Sequence, residues 1–183
     1  MSESSNSQGE SRKAFPHKIT VLGIGNELLS DEGVGVYTIK ELEKKGPIPG
    51  VEVIEGGTDG FGLINVITDT DYLIVVDSLK GGGEPGTFYK FRVEDAPKCP
   101  DIFKTSIHQV GILEVLNLSG LIGKTPETII FGVEPKKITR GMNISAVIKK
   151  KIPRLMELIY EEIEKIKSRV DTADSNKCVK VVS

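Results

Sequence analysis

The residues that decide the fold form one glycine- and acid-rich stretch, Gly23-Ile24-Gly25-Asn26-Glu27-Leu28-Leu29-Ser30-Asp31-Glu32-Gly33-Val34-Gly35. An apolar run at residues 19–22 leads into this stretch, and apolar residues at helical spacing follow it. A strand, a glycine-rich loop and a helix in this order are typical of the carboxyl edge of an α/β sheet. The stretch therefore predicts an α/β fold with its candidate site at that edge.

Length and composition indicate one soluble globular domain. The chain has 183 residues, of which 38% are hydrophobic and 27% charged, and this balance can bury a core. The net charge of −2 provides no basic surface for nucleic acid. No apolar run approaches the roughly 20 residues that a membrane span needs. We therefore expect a cytoplasmic protein that binds neither nucleic acid nor membrane.

The two ends of the chain differ in composition from its middle. Residues 1–17 begin with a segment rich in Ser, Glu and Asn and lack the apolar core of a secretory signal, so we expect a disordered extension. Residues 18–169 form the single predicted domain, and residues 170–183 a flexible tail. Cys99 and Cys178 have no metal-ligand spacing and are interpreted as reduced thiols.

Apolar runs bounded by glycine, proline and polar clusters predict five strands, and segments of helical periodicity between them predict four helices. The strands are expected at residues 19–24, 51–55, 71–77, 87–93 and 128–133. The helices are expected from about residue 30, at 61–68, at 108–118 and at 143–167.

Strands that alternate with helices predict a three-layer α/β sandwich, with a twisted, mostly parallel five-stranded sheet between helices. The link between the third and fourth strands is too short for a parallel crossover, so the fourth strand should be an antiparallel edge strand. Ligands of such sheets bind beyond the carboxyl ends of the strands. This rule brings together residues 26–32, residues 77–86 and the region of His108.

The glycines of the opening stretch resemble the start of a dinucleotide-binding fingerprint, but its other residues argue against that function. The position of the third glycine is occupied by Leu28. Glu27, Asp31 and Glu32 also place negative charge where a pyrophosphate would lie. The stretch is therefore not interpreted as a nucleotide site.

Three residues predicted near neighbouring strand ends could instead bind a metal: Glu32, Asp77 and His108. Two carboxylates and one imidazole form a mixed donor set for Zn, Mn, Ni or a similar ion. Each residue also has a structural explanation, because Glu32 suits the first turn of a helix, Asp77 suits a cap and His108 suits a core position. Their spacing matches no local metal motif, so the metal hypothesis depends on topology.

A serine or cysteine nucleophile has less support. The chain contains no GxSxG motif, and neither cysteine follows a predicted strand end. The three glycines at 81–83 are interpreted as a flexible loop.

Five short motifs follow one another along the chain. They are Gly23-x-Gly25-Asn26-x-Leu28-x-x-Asp31-Glu32-x-x-Gly35, Gly56-Gly57-Thr58, Leu73-Ile74-Val75-Val76-Asp77, Ser106-x-His108-Gln109 and Gly132-Val133-x-Pro135. In this order and spacing they resemble the maturation endopeptidases of [NiFe] hydrogenases, over residues 19–167. The resemblance implies an α/β fold of the phosphorylase/hydrolase-like class. One departure is Glu55, because families of this kind often have Asp before the Gly-Gly-Thr.

The resemblance implies an endopeptidase that removes a short C-terminal extension from the precursor of a hydrogenase large subunit after nickel insertion. It implies a nickel-dependent enzyme, aspartic-type or metallo-like, in which Glu32, Asp77 and His108 recognise the nickel and take part in catalysis. The nickel-loaded precursor is the expected partner, and the chain is expected to be a monomer. Nickel would arrive with the substrate, whereas Zn or Cd could occupy the same residues in vitro.

Two other functions stay open. A non-proteolytic metal-binding or chaperone module for hydrogenase assembly could use the same ligands, and a small-substrate metallohydrolase would bind its metal without a hydrogenase partner. Asn26 and Gln109 are candidate hydrogen-bond donors beside the site, and Asp31 is a candidate helix cap. The glycine loops at 56–60 and 81–83 would let a substrate backbone approach closely.

Overall fold

The structure, a computed structural model, describes residues 16–58, 61–98 and 107–177, with five strands and four α-helices among them. The strands are β1 (Ile19–Ile24), β2 (Val51–Gly57), β3 (Tyr72–Ser78), β4 (Phe88–Arg92) and β5 (Glu127–Val133). The helices are α1 (Val34–Glu43), α2 (Ile64–Thr68), α3 (Ile107–Ile122) and α4 (Ala146–Lys177). Short 3-10 helices lie at Ser30–Gly33, Phe61–Leu63 and Val93–Lys98.

The strands form one sheet in the order β2-β1-β3-β5-β4. The pairs β1–β2, β1–β3 and β3–β5 are parallel, and β4 runs antiparallel to β5 at the edge. The central strands are almost wholly buried, whereas β4 is half-exposed, as expected for a parallel sheet with an edge ribbon. The predicted fold class and its antiparallel edge strand are therefore confirmed.

Two apolar cores cover the two faces of the sheet. One face packs against α1 and α4 through a cluster that includes Ile74 and Val76 of β3. The other face packs against α2 and α3 through Leu73 and Val75 of the same strand. Because successive side chains of a strand point to opposite faces, the continuous apolar run of β3 fills both cores at once.

The helices differ from the sequence prediction at several ends, and two of these differences have a physical reason in the structure. Helix α1 begins at Val34 rather than near Ser30, because Ser30 has a left-handed backbone with φ 56° and cannot continue a right-handed helix. Helix α4 continues to Lys177, so the predicted end at Lys167 is wrong. Its apolar face extends through the buried Val170, which holds the first residues of the predicted tail in the helix.

The predicted N-terminal extension lies mostly outside the described residues, as do both cysteines. His17 at its end is described, and its Nδ1 lies 3.7 Å from a carboxylate oxygen of Asp71 beside the start of β3. Among the described helices, none is long and apolar enough to cross a bilayer.

The backbone of helix α1 lies directly against the backbones of β1 and β3, and Gly35 is the residue that permits this close approach. A Cβ at Gly35 would lie 2.2 Å from the carbonyl oxygens of both Ile24 and Val76. These are backbone atoms of two buried strands, so they cannot move aside as a flexible side chain would. The close approach therefore requires glycine at position 35.

We expect Gly35→Ala to lower the free energy of unfolding by about 3 kcal/mol, because the added methyl group overlaps fixed carbonyl oxygens. Urea denaturation followed by circular dichroism measures the change. Gly123→Ala is the matched control, since its added Cβ would meet no atom within 4 Å and should change stability by less than about 0.5 kcal/mol. Equal midpoints for the two variants would contradict this account of the close approach.

Candidate active site

The carboxyl end of β3 places a buried carboxylate at the edge of the sheet. Asp77 is fully buried, pairs with Gly132 of β5 and accepts a hydrogen bond of 2.7 Å at Oδ1 from the backbone N–H of Ser78. Strand alternation places its side chain on the same face as Val75, the face that α2 and α3 cover.

Glu32 reaches the same edge from the loop that follows β1. It lies in the 3-10 helix Ser30–Gly33 and is 5% exposed. Its backbone carbonyl closes over Gly25, where an added Cβ would lie 2.0 Å from the Glu32 oxygen and where φ is +132°. Gly25 is therefore the residue that lets the chain turn tightly enough to return Glu32 to the end of β1.

His108 lies in the first turn of α3. Only residues 123–126 separate the end of α3 from β5, so the last turn of α3 lies near the amino end of β5. A helix of 16 residues is about 24 Å long, and a strand of 7 residues is about 23 Å long. The first turn of α3 therefore lies at the carboxyl edge.

The side chain of His108 lies outside the described part of the chain, so the three-ligand hypothesis stays a prediction. Among the side chains that are described, no three His, Cys, Asp or Glu residues form a metal-binding group. The donor chemistry of Glu32 and Asp77 fits a divalent cation, because two carboxylates supply hard oxygen ligands. Their burial also fits, since a nearby cation stabilises ionised carboxylates away from bulk water.

Asp31, the neighbour of Glu32, has a structural role, but the sequence-based prediction that it caps the adjacent helix is wrong. The capping positions of its own 3-10 helix and of α1 carry no side-chain cap hydrogen bond. The fully buried Asp31 carboxylate instead accepts hydrogen bonds from a distant loop. The donors are Lys136 N–H at 3.0 Å, Lys137 N–H at 3.0 Å, Ser145 N–H at 2.6 Å and Ser145 Oγ at 2.9 Å.

Backbone hydrogen bonds continue this attachment, and we call residues 28–31 together with residues 136–145 the clasp. The N–H of Ser30 donates to the carbonyl of Gly141 at 2.7 Å, and the N–H of Gly141 donates to the carbonyl of Leu28 at 2.9 Å. The hydroxyl of Ser30 donates to the carbonyl of Thr139 at 2.9 Å. The clasp therefore fixes the backbone directly before Glu32.

Comparisons with known proteins show which family the chain belongs to. The family model of the hydrogenase maturation proteases, HycI, matches residues 36–162. The hydrogenase 2 maturation protease of Escherichia coli is 32% identical over 147 residues, which are 78% of this chain and 88% of that protein. The chain belongs to the hydrogenase maturation protease family.

Solved structures and a further relative extend the comparison. The hydrogenase maturating endopeptidase HybD from E. coli aligns with a TM-score of 0.73 at 31% identity, covering 81% of this chain and 93% of that one. The [NiFe] hydrogenase maturation protease HybD from Thermococcus kodakarensis aligns with a TM-score of 0.68 at 26% identity, covering 79% and 97%. The hydrogenase expression/formation protein HupD of Bradyrhizobium diazoefficiens is 37% identical over 121 residues, 65% of this chain but only 63% of that protein.

The glycine loop after β3 is held in place, which corrects its interpretation as simply flexible. The buried Glu134 accepts hydrogen bonds at Oε2 from Gly81 N–H at 2.7 Å, Gly83 N–H at 3.2 Å and the Tyr89 hydroxyl at 2.8 Å. Burial raises the pKa of Tyr89, and its hydrogen bond to Glu134 raises that pKa further. Glu134 occupies the x position of the Gly132-Val133-x-Pro135 motif. The motif thus includes the residue that holds the loop, but the sequence did not indicate that function.

The other predicted neighbours of the site have different outcomes. The side-chain oxygen of Asn26 accepts a hydrogen bond of 2.9 Å from Leu28 N–H, so Asn26 shapes the turn, and its role as a donor to substrate stays a prediction. The side chain of Gln109 lies outside the described residues. Glu55 lines a cleft beside the turn.

A second cavity lies away from this edge. It has a volume of about 420 Å³ and lies between α1 and α4, where Tyr37, Pro153 and Met156 line it. Neither Glu32 nor Asp77 lines it, so it is not part of the candidate active site.

We expect Asp31→Ala to lower the free energy of unfolding by roughly 3–5 kcal/mol, because it leaves several donors unsatisfied next to a cavity. Asp31→Asn should lower it by about half as much, since the amide keeps one acceptor oxygen but turns donor hydrogens toward other donors. Guanidinium denaturation of both variants measures the two losses. Wild-type stability for Asp31→Ala would show that the clasp does not depend on this carboxylate.

Proposed function

We propose that this chain is an endopeptidase that removes a short C-terminal extension from the precursor of a [NiFe] hydrogenase large subunit after nickel insertion. The observation that carries the proposal is the pair of buried carboxylates, Glu32 and Asp77, at the carboxyl edge of a chain that belongs to the maturation protease family. The partner is the nickel-loaded precursor, and the chain acts as a monomer.

Nickel belongs to the substrate in this proposal. The side chains of Glu32, Asp77 and His108 bind the nickel that the precursor carries. Because a metal bound by both proteins holds the peptide at a fixed distance, it positions the scissile bond beside the site. As a Lewis acid the same ion can polarise the scissile carbonyl.

The chemistry of the donors supports nickel as the recognised ion. An imidazole nitrogen with two carboxylate oxygens suits borderline divalent ions such as nickel and zinc. Zn or Cd added in vitro should compete for the same side chains, because they accept the same nitrogen and oxygen donors. Bound to the protease alone, such an ion should inhibit processing by occupying the place of the substrate nickel.

We expect His108→Ala to lower the rate of processing at least about 100-fold, and Glu32→Gln and Asp77→Asn to do the same, because each removes one ligand of the nickel. The test incubates nickel-loaded precursor with each variant and follows the loss of the extension by mass spectrometry. His17→Ala is the matched control, since His17 is the other of the two histidines and lies beside the amino end of β3.

The possible outcomes separate the candidate functions. Wild-type rates for His108→Ala would remove His108 from the ligand set, and equal cleavage of nickel-free precursor would remove nickel recognition. A stable complex with precursor but no shortened product would favour the chaperone module. Hydrolysis of small substrates without any precursor would favour the metallohydrolase.

A further inference from the structure

A second surface adjoins the candidate active site and has not been assigned a role. It is a cleft of about 410 Å³ between the turn after β1 and the end of β2. Gly25 and Asn26 line it on one side, Glu55 and Gly57 on another, and Met142 of the clasp lines it as well. The same turn that carries Glu32 therefore forms a wall of this cleft.

Two large apolar side chains stand exposed on the lip of the cleft. Leu28 is 61% exposed and Met142 is 72% exposed, and both line the cleft. The clasp places them together, because Gly141 N–H donates to the Leu28 carbonyl at 2.9 Å and Leu29 forms a β-bridge with Gly141. A backbone held by hydrogen bonds thus presents both side chains to solvent, where they bury little apolar surface and add little to the stability of the fold.

The far wall of the cleft is the end of an edge strand. In the part of the chain that the structure describes, β2 is the last strand on its side of the sheet, and an edge strand can accept an extended peptide by backbone hydrogen bonding. Gly57 has φ +56°, and an added Cβ there would meet no atom within 4 Å. The space beside the backbone of Gly57 is therefore open.

The charges of the cleft restrict its occupant. The Lys40 ammonium lies 2.7 Å from the Glu27 carboxylate and 3.7 Å from the Glu55 carboxylate. Two carboxylates thus share one cation, and this excess of negative charge disfavours an acidic occupant. The volume of about 410 Å³ is that of a small-ligand pocket, which holds a few residues of extended chain.

We propose that this cleft holds a short extended segment of the substrate polypeptide, and that Leu28 and Met142 enclose an apolar side chain of that segment. The proposal rests on the proposed function, because it names the part of the precursor that docks beside Glu32. A second copy of this chain is the weaker occupant. Two side chains cannot supply the roughly 800 Å² per partner that a stable dimer buries.

The test compares two double variants that each remove two exposed apolar side chains. Leu28→Ser with Met142→Ser should raise the KM for nickel-loaded precursor at least about tenfold, because the apolar contact is lost on binding, with kcat within about twofold. Leu121→Ser with Ile122→Ser is the matched control, since those residues are 85% and 64% exposed at the far end of α3. The control should keep the wild-type KM.

Thermal melts of both double variants show whether either substitution disturbs the fold, and calorimetry measures precursor affinity independently of cleavage. Precursor cleavage with an unchanged KM for the Leu28/Met142 variant would overturn the docking surface alone. Lost affinity in that variant, with no cleavage by the wild-type chain, would overturn the proposed function and support the surface. If the Leu28/Met142 variant kept the wild-type KM but had a lower molecular mass than the wild-type chain by sedimentation, the two side chains would serve contacts between copies. That result would overturn the proposal.

Discussion

The approach of Gly35 to the carbonyl oxygens of Ile24 and Val76 is the constraint on which the rest of the structure depends. At 2.2 Å from an ideal Cβ position, those oxygens leave room only for hydrogen. Helix α1 can therefore lie directly on β1 and β3, and a Cβ at Gly23 would likewise overlap the carbonyl of Gly35 at 2.4 Å. Because α1 packs directly against these two strands, the turn between β1 and α1 stays at the carboxyl edge of the sheet. Glu32 lies in this turn and is therefore kept at that edge.

Two loops are held by hydrogen bonds to buried carboxylates, and one of these carboxylates, Asp31, belongs to this turn. Asp31 accepts the amide N–H groups of Lys136, Lys137 and Ser145, and Glu134 accepts those of Gly81 and Gly83. Hydrogen bonds to an ionised acceptor are about twice as strong as neutral ones. The loop at residues 136–145 and the glycine loop after β3 are thus held by acids that take no proposed part in the chemistry.

A structural feature could be predicted from the sequence when the residues that interact are close together in the chain, and not when they are distant. Strand β1 was predicted with its observed bounds because a continuous apolar run suits a strand buried on both faces. The antiparallel orientation of β4 followed from the short link before it. Asp31 was interpreted as a cap of the adjacent helix because capping is the local use of an acid, whereas its actual partners lie more than one hundred residues away. Glu134 was passed over for the same reason, since its donors stand about fifty residues earlier.

By itself the sequence determined the α/β class, the parallel sheet with one antiparallel edge and the family to which the chain belongs. The class and the sheet follow from periodicity and link lengths, which are properties of neighbouring residues, and the family follows from the resemblance carried by the order of five motifs. Only the tertiary structure decided which acids are hydrogen-bond acceptors for loops, that the clasp joins residues 28–31 to residues 136–145, and that Leu28 and Met142 share one cleft. The physical reason is that a carboxylate looks the same in sequence whether it accepts loop amides or faces a substrate, and its role is set by the donors that folding brings to it.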